Sequence, residues 1–315
     1  MTPRGAPLAT IVVPTLNGAA TLPGLFAAVR GQQADFEYEI VAVDSGSTDG
    51  TVTILEASAD RVLRIAPGDF NHGATRNLAI AAGRGEFAVL LVQDAIPASP
   101  RWLAPLLAPM RADPGLAGTY ARQVPRPDAS PITRHYLERW VGALPTARES
   151  ALGGAAELAA LAPMERYLRC VFDNVSSALR RSVWERHPFP VAPIAEDVEW
   201  ARDVLLAGHR LAYVPEAVVV HSHERSPRYE LWRTYLVHQR LRTLFGLRTV
   251  PTPLHALAAV AANSLSHLGA LRQAGRLGPR EAARALGLAV AFPVGQYLGA
   301  LSADTGWTLL RPRGV

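Results

Sequence analysis

The chain has 315 residues, of which 49% are hydrophobic and 19% are charged, so it can bury a sizeable core and is not a disordered chain. All 32 basic residues are arginine, which is most simply explained by compositional drift, and the formal charge of +5 suits an anionic substrate or an anionic membrane surface. The sequence has no stripe of arginines interleaved with aromatic residues, so we expect no nucleic-acid partner.

Strands and helices alternate over the first 120 residues. Strands are predicted at 9–14, 40–43, 61–65, 87–92 and 116–120, and helices at 21–32, from 51 to 59, up to about 83, and at 102–110. This alternation predicts βαβ units and an α/β fold with a mixed, mainly parallel sheet flanked by helices.

The remaining chain is less regular. Residues 122–169 carry few strand signals and are interpreted as loops and helices that leave the sheet, to which the chain returns at 171–179. A helix is predicted over 195–207 and a last strand over 210–220, after which helical periodicity dominates from about 252 to 307.

The single cysteine and the first nine residues bear on the cellular compartment in which we expect the protein. The single cysteine, Cys170, excludes an internal disulfide and suits a small buried apolar position. The first nine residues lack the apolar core of a signal peptide, and no run of about 20 uninterrupted apolar residues predicts a transmembrane helix. We expect a cytoplasmic protein, with peripheral attachment to the cytoplasmic face of the inner membrane as the alternative.

Two predicted strands end in an acidic residue, Asp44 and Asp94. Ligands of open α/β sheets bind beyond the carboxyl ends of the strands, so these carboxylates are expected to face one crevice. Such a pair suits a divalent cation and a phosphorylated ligand. The ordinary explanation of the Asp44 loop is a helix cap in which Ser47 or Asp49 accepts from free backbone amides. For Asp44 alone, a structural role is as good an explanation as a functional one, and Asp94 alone is as often a turn residue. Gln93 either donates to a ligand or caps its loop.

Further polar residues flank later elements. His72, Arg76 and Asn77 meet at a loop-to-helix junction, where free amides and a guanidinium can hold a diphosphate, although each alone is more often a turn residue. His221 and His223 follow the last predicted strand on the same side. His221, more readily than His223, is a candidate metal ligand, and imidazole suits Mn²⁺ better than Mg²⁺.

Glu196 and Asp197 open a predicted helix, where an acidic residue is favourable in any protein. We assign that ordinary role to Glu196 or Glu199. Asp197 is then the candidate general base, because a carboxylate within hydrogen-bond reach of an acceptor hydroxyl can remove its proton.

Taken together, four motifs resemble the inverting family 2 glycosyltransferases of the GT-A fold. They are VVPTLN at 12–17, VDSGSTDGT at 43–51, RN at 76–77 and ED at 196–197. The resemblance covers residues 8–226. The segments FNHGATRN at 70–77 and QDA at 93–95 are most similar to the rhamnosyltransferase branch.

The resemblance implies roles for these residues. Residues 1–226 would form a Rossmann-like GT-A catalytic domain, with nucleotide-sugar binding in about 1–120 and acceptor binding and the base in about 121–226, followed by a helical extension over 227–315. Asp44 would hold the nucleobase or ribose, Asp94 and His221 a Mg²⁺ or Mn²⁺ ion that bridges the diphosphate, and Asp197 would be the base for displacement with inversion. The remaining donor-side residues would be Pro14, Thr15, Asn17, Ser45, His72, Arg76 and Gln93, and the acceptor-side residues Asn174, Glu196 and Trp200.

Two departures from the family pattern matter. Val92 stands where the first carboxylate of the usual Asp-x-Asp is expected, so the cation would be held more weakly, or Gln93 would take over part of the donor contact. The QRLRT of 239–243 lacks the tryptophan of the Gln-x-x-Arg-Trp found in processive synthases, so transfer of one or a few sugars is expected.

The expected function is metal-dependent transfer of a sugar, L-rhamnose from dTDP-rhamnose, to a glycan or lipid-linked acceptor in cell-surface polysaccharide synthesis. The alternatives are a UDP-hexose or GDP-mannose donor, and a catalytically silent scaffold that binds nucleotide or glycan. The tail is interpreted as a helix pair packed on the catalytic domain or on a second copy in a homodimer. Its alternative interpretation is a basic interfacial helix on anionic lipid.

Overall fold

The computed structural model describes residues 6–310, which divide into two compact units. The first, here called the sheet unit, comprises residues 6–126, 139–160 and 169–222. The second, the helical unit, comprises residues 127–138, 161–168 and 223–310. The helical unit therefore takes in two segments, 127–138 and 161–168, in addition to the C-terminal extension delimited from the sequence.

One mixed sheet forms the sheet unit. Its strands are β1 Ala9–Thr15, β2 Tyr38–Asp44, β3 Arg61–Arg64, β4 Phe87–Leu91, β5 Ile96–Pro97, β6 Leu116–Val124, β7 Arg148–Ser150, β8 Ser176–Arg180 and β9 Arg210–Val220. They are ordered β3-β2-β1-β4-β8-β6-β9-β5, and β7 also pairs with β9. The first four strands in this order are parallel, β8 is antiparallel to β4 and β6, and β6 is parallel to β9.

Helices flank the sheet and make up the helical unit. In chain order they are α1 Leu22–Arg30, α2 Thr51–Ser58, α3 His72–Ala82, α4 Leu103–Ala112, α5 Pro131–Leu137, α6 Ala155–Ala160, α7 Pro163–Arg169, α8 Arg181–Trp184, α9 Glu196–Leu206, α10 Pro227–Phe245, α11 Pro253–Gln273 and α12 Pro279–Thr305. A short 3-10 turn spans Val141–Ala143.

The β1, β2 and β4 strands lie in the core because most of their residues are apolar on both faces. Every residue of β4 is buried, and β1 and β2 are buried at all but one position each. Strands covered by helices on both sides read as continuous apolar runs, which is why the sequence pattern located them. The α1 helix buries Leu22, Leu25, Phe26 and Val29, the spacing of a single helical face. Cys170 is buried as predicted, and burial raises the pKa of its thiol to about 12.

The α10 helix was not predicted as a separate element, although its end signals are present. Ser226 caps it by accepting from the Tyr229 amide, Pro227 occupies its first turn, and Gly246 ends it at φ +72°. Its mixed polar and apolar composition hides the periodicity, because arginine and glutamine recur along the same segment.

Two helices of the helical unit, α11 and α12, are long and apolar enough to cross a membrane by length and composition. The expectation that no segment qualifies rested on uninterrupted apolar runs, whereas these helices carry isolated polar residues. The apolar window of α12 is 50% buried within the protein and that of α11 only 17%. Because core helices of soluble proteins meet the same criterion, this is weak evidence for a membrane span.

A tight contact joins the start of α3 to the segment before α9. Asn71 caps α3 by accepting from the amides of Gly73 and Ala74, and its own amide donates to the Ala192 carbonyl at 3.0 Å. A Cβ on Gly73 would lie 2.0 Å from the carbonyl oxygen of Pro190, so only glycine fits. This contact ties the segment before α9 to the start of α3.

We expect Gly73→Ala to destabilise the sheet unit by roughly 1–3 kcal/mol, because backbone must move to admit the methyl group. Gly24→Ala is the matched control, since its Cβ would meet only Ile96 at 3.7 Å within α1. The control should stabilise by roughly 0.5–1 kcal/mol, because alanine is the better helix former. Urea unfolding followed by circular dichroism measures both, and equal shifts would contradict the contact.

Candidate active site

The loops after β1 and β2 are bound to each other by Asn17. Its backbone N–H donates to Ser47 Oγ at 2.8 Å, and its side-chain oxygen accepts from the Thr48 amide at 2.9 Å. Asn17 has φ +47°, a left-handed conformation that asparagine tolerates better than most residues. Pro14 and Thr15 lie beside this loop as register partners of Val43 and Asp44.

Asp44 is buried and its carboxylate is held by its own loop. One oxygen accepts from the amides of Gly46 and Ser47 at 3.0 Å, and the other accepts from Ser47 Oγ at 2.5 Å. Gly46 has φ +89°, which gives the loop this shape. The contacts at the start of α2 are made instead by Asp49, and its hydrogen bond from Thr51 lowers the pKa of that carboxyl.

Ser45 follows Asp44 and differs from its neighbours in being unsatisfied. Its Oγ is buried and has no hydrogen-bond partner among residues 6–310. Buried hydroxyls are nearly always paired, so a polar group of a ligand bound at this loop would complete its hydrogen bonding.

Gln93, at the end of β4, caps a loop. Its side-chain oxygen accepts from the Leu16 amide at 2.9 Å, and its side-chain nitrogen donates to the Leu16 carbonyl at 3.0 Å. Of the two roles left open by the sequence, the structure therefore places the amide in the loop contact. Gln93 joins the end of β4 to the loop that carries Asn17.

Asp94 lies between a histidine and an arginine. Its Oδ1 is 3.6 Å from Nε2 of His221, and its Oδ2 is 3.7 Å from an Nη of Arg126, which also donates to the Asp94 carbonyl at 3.1 Å. The Asp94 side chain is 18% exposed and that of His221 is 10% exposed, so the pair borders solvent. His223 is exposed, lies two residues beyond His221 and begins the helical unit.

The spacing of Asp94 and His221 fits a shared cation. Two ligands at about 2.1 Å from one ion, at roughly 90–110° to each other, lie about 3.0–3.5 Å apart. The separation of 3.6 Å between Nε2 and Oδ1 is close to that range. A carboxylate with an imidazole suits Mn²⁺ better than Mg²⁺.

Asp197 is half-buried in the first turn of α9. One oxygen accepts from the Val198 amide at 2.8 Å and the other from the Asn174 amide at 3.4 Å. Burial, then the charges of Glu196 and Asp173, raise the pKa of Asp197 to about 8. A general base works best when its pKa is near the working pH, so this carboxylate is suited to accept a proton. Ala195, immediately before α9, is held at φ +60°, a strained conformation for a non-glycine residue.

Glu196 and Arg76 form a buried ion pair. Their side chains are 2.6 Å apart and less than a tenth exposed, and Asn174 Nδ2 donates to the same Glu196 oxygen at 3.3 Å. Arg76 also donates to the carbonyl of His72, whose ring packs edge-on against Phe70. The pair fixes α9 to α3, because breaking a buried pair typically costs about 3–5 kcal/mol.

Trp200 does not reach solvent. It is 1% exposed, donates to the His187 carbonyl at 2.8 Å and packs against Phe172 and Phe189. The predicted acceptor contact is incompatible with this burial, and Trp200 instead supports α9 from the core. The sequence placed Trp200 on the same helix as Asp197, but it did not show that the two side chains lie on different faces of that helix.

The structure brings Asp44, Asp94, Asp197 and His221 into one network within the sheet unit. Gln93 connects Asp94 to the loop that holds Asp44. On the other side His221 contacts Gln123, and Gln123 contacts Asp173, which precedes the residue that donates to Asp197.

Sequence reasoning missed Gln123, Arg126 and Asp173. The only signal for Asp173 was its position ahead of the returning strand. Because β8 runs antiparallel to β4, with Ser176 opposite Leu91, the start of β8 lies at the carboxyl end of β4.

Similarity to known proteins places the chain in a family. The model of Glycosyl transferase family 2 matches residues 10–158. The O-antigen chain rhamnosyltransferase RfbN of Salmonella typhimurium is 34% identical over 72% of this chain and 70% of its own length. WbaN of Salmonella anatum, of the same description, is 35% identical over 73% and 70%. The chain belongs to glycosyltransferase family 2.

Solved structures establish the fold of this glycosyltransferase. A mannosyltransferase from Pyrobaculum calidifontis, solved with GDP-Man and Mn²⁺, superposes with a TM-score of 0.59 at 20% identity over 96% of this chain and 89% of its own. Glucosyl-3-phosphoglycerate synthase from Mycobacterium tuberculosis, solved with Mn²⁺ and UDP, gives 0.54 at 20% identity over 76% and 81%. The predicted GT-A fold with a helical C-terminal region is confirmed, and the protein is a nucleotide-sugar glycosyltransferase.

The raised pKa of Asp197 predicts opposite effects on activity and stability. The folded chain keeps this proton up to about pH 8, whereas the unfolded chain loses it near pH 4, so Asp197 lowers stability increasingly as pH rises between these values. Asp197→Asn should abolish transfer and should gain stability over the wild type as pH rises from about 5 to about 8.

Asp203→Asn, near the other end of the same helix, is the matched control, because Asp203 is partly exposed and paired with Arg202. Thermal unfolding across this pH range and steady-state kinetics measure the two effects. Full turnover by Asp197→Asn, or a stability difference independent of pH, would rule out the assignment.

Proposed function

We propose that this enzyme transfers L-rhamnose from dTDP-rhamnose, with inversion, to a glycan or lipid-linked acceptor in cell-surface polysaccharide synthesis. One observation carries the reaction type: Asp197, with a pKa of about 8, lies in the same connected network as Asp94 and His221. The Salmonella relatives, both described as O-antigen chain rhamnosyltransferases, support the sugar and the pathway.

The donor nucleoside would bind at the joined loops after β1 and β2. Asp44 is a buried carboxylate held rigidly by its loop, so it can accept hydrogen bonds from the base or ribose without reorganising. Thr15 is less available for this role, because its hydroxyl donates to the Val43 carbonyl at 3.0 Å. The unsatisfied hydroxyl of Ser45, next to Asp44, could pair with a polar group of the nucleotide.

The diphosphate would lie at the end of β4. Asp94 and His221, with His223 as a further candidate, would hold Mn²⁺ or Mg²⁺, and the bound cation would stabilise the charge that develops on the leaving diphosphate. Arg126 adds a fixed positive charge 3.7 Å from Asp94 and is 34% exposed. We assign the guanidinium beside the diphosphate to Arg126 rather than to Arg76, whose charge is balanced by Glu196 in a buried pair.

The acceptor hydroxyl would approach Asp197, which takes its proton as the new glycosidic bond forms. The buried group of Arg76, Glu196 and Asn174 keeps α9 in place beneath this carboxylate. Glu196 also helps to raise the pKa of Asp197, so it contributes to the strength of the base without contacting the acceptor.

Donor identity can be tested directly with purified enzyme and a lipid-linked or glycan acceptor. We expect transfer from dTDP-rhamnose and at least about tenfold lower kcat/KM with UDP-hexose or GDP-mannose, because missing substrate contacts leave buried polar groups unpaired. Asp94→Asn should reduce Mn²⁺ binding and turnover together, with Asp203→Asn as control. A preference for GDP-mannose would show that the proposed donor is wrong. Metal-independent nucleotide binding, without transfer to any acceptor, would favour the scaffold protein.

The helical unit suits an anionic membrane surface. Residues 223–310 contain ten arginines and four acidic residues. On α11, Leu254, Leu257 and Leu265 are 76%, 67% and 75% exposed and share one helical face. Arg272 ends that face, so an apolar stripe is bordered by positive charge, as in helices that rest in the lipid interface. We propose that this stripe binds the membrane, which places the enzyme on its cytoplasmic face beside a lipid-linked acceptor.

Leu257→Glu combined with Leu265→Glu should abolish sedimentation with phosphatidylglycerol-containing vesicles, because it introduces charge at the apolar stripe. Leu78→Glu, at a 44% exposed leucine of α3, is the matched control and should sediment like the wild type. The proposal would be contradicted if the wild type, the double variant and Leu78→Glu bound these vesicles equally. It would also be contradicted if the wild type bound only vesicles of neutral phosphatidylcholine. Sedimentation velocity without lipid tests the homodimer: a dimer that the double variant dissolves would assign the stripe to a second copy.

A further inference from the structure

We propose that Gln123 and Asp173 are positioning residues that hold His221 in the tautomer whose Nε2 lone pair faces Asp94. This inference rests on the proposed cation site and extends it to residues that do not touch the cation. It would keep His221 available as a metal ligand although Val92 stands where the first carboxylate is expected.

The orientation of the Gln123 amide follows from its partner. Its Nε2 donates to a carboxylate oxygen of Asp173, which accepts hydrogen bonds but cannot donate one when ionised. The amide nitrogen must therefore point to Asp173, and the amide oxygen must point the other way. Asp173 is itself held by the Val175 amide, which donates to its second oxygen at 3.0 Å.

The tautomer of His221 follows from that orientation. Gln123 Oε1 lies 3.0 Å from Nδ1 of His221 and can only accept, so Nδ1 carries the hydrogen. In the neutral ring Nε2 then has a lone pair, and this lone pair faces Asp94 Oδ1 at 3.6 Å. A neutral ring and an ionised carboxylate at this distance repel each other unless a proton or a cation lies between them, so in the neutral ring this lone pair would serve as a metal ligand.

Burial makes the arrangement firm. Gln123 is 5% exposed and His221 is 8% exposed, so water cannot readily replace either contact. Their strands are adjacent, since β6 pairs with β9 with Gln123 opposite Val219. The backbone register thus brings an amide from one strand to an imidazole just past the end of the next.

In the opposite tautomer, His221 and Asp94 would form a direct hydrogen bond that needs no metal ion. If the amide of Gln123 turned over, its nitrogen would donate to Nδ1, and Nε2–H would donate to Asp94. The carboxylate of Asp173 prevents this, because the turned amide would point oxygen at oxygen. An asparagine at position 173 would keep its oxygen toward the Val175 amide and turn its nitrogen toward Gln123, so it would favour the turned amide.

The experiment compares Asp173→Asn with the wild type by calorimetric titration of Mn²⁺ in the presence of dTDP. Outer partners of metal-binding histidines are typically worth 10–100-fold in metal affinity, so we expect at least about tenfold weaker binding. Gln123→Met, which keeps the length but lacks the amide, should lose a similar factor. Asp203→Asn is the matched control and should bind Mn²⁺ like the wild type.

Nitrogen NMR of ¹⁵N-histidine-labelled wild-type protein reads the tautomer without relying on a destabilising variant. His221→Gln assigns the signal by its disappearance. We expect an Nδ1–H, Nε2-unprotonated ring in the metal-free enzyme, and a mixture or the opposite tautomer in Asp173→Asn. An Nε2–H ring in the wild type, or unchanged Mn²⁺ affinity in both Asp173→Asn and Gln123→Met, would overturn the proposal.

The outcome is separable from that of the proposed function. If the wild type transfers no rhamnose while Mn²⁺ affinity depends on Asp173, the positioning role stands and the donor assignment falls. If rhamnose is transferred but Mn²⁺ affinity ignores Asp173 and Gln123, the enzyme function stands and the positioning role falls.

Discussion

The site depends on the two residues that follow β4 and Val92, because each binds a different part of the sheet edge. The oxygen and the nitrogen of the Gln93 side chain both bind the backbone of Leu16. Gln93 thereby fixes the loop in which Asn17 binds Ser47, a partner of Asp44. Asp94 contacts His221, which follows β9, and Arg126, which follows β6. The strands β1, β4, β6 and β9 run parallel within the mixed sheet, so these ends lie at one edge, where this dipeptide joins the proposed nucleoside site to the proposed cation site.

Several groups in the site are held in states that cost free energy in the folded protein. Asp197 is ionised only at a cost in this environment, Ala195 lies at φ +60°, and Ser45 Oγ is buried without a partner among residues 6–310. Such features cluster where a protein is organised for a ligand or a reaction rather than for its own stability. The apolar parallel strands and the buried Arg76–Glu196 pair supply the rigidity that keeps them in place.

The sequence predicted the parts that follow from local pattern. Apolar runs located the central strands, and acidic residues at strand and helix ends located Asp44, Asp94 and Asp197. It did not predict side-chain contacts between residues far apart in the sequence, because such contacts leave no local signal. Arg76 was expected beside a diphosphate, yet its partner is Glu196, 120 residues away. Gln123 and Asp173 became recognisable only from the tertiary structure, in which β8 returns antiparallel to β4, the strand that precedes Asp94.

The most direct test of the account is the position of a bound manganese ion. Crystals grown with dTDP and Mn²⁺, measured at the manganese absorption edge, should show one anomalous peak within about 2.0–2.3 Å of Asp94 Oδ and His221 Nε2. The diphosphate should complete its coordination on the side of Arg126, with Asp197 facing the same cleft. A peak that avoids Asp94, or a nucleotide bound away from the loops of Asn17 and Asp44, would contradict the central claim that these distant residues form one active site.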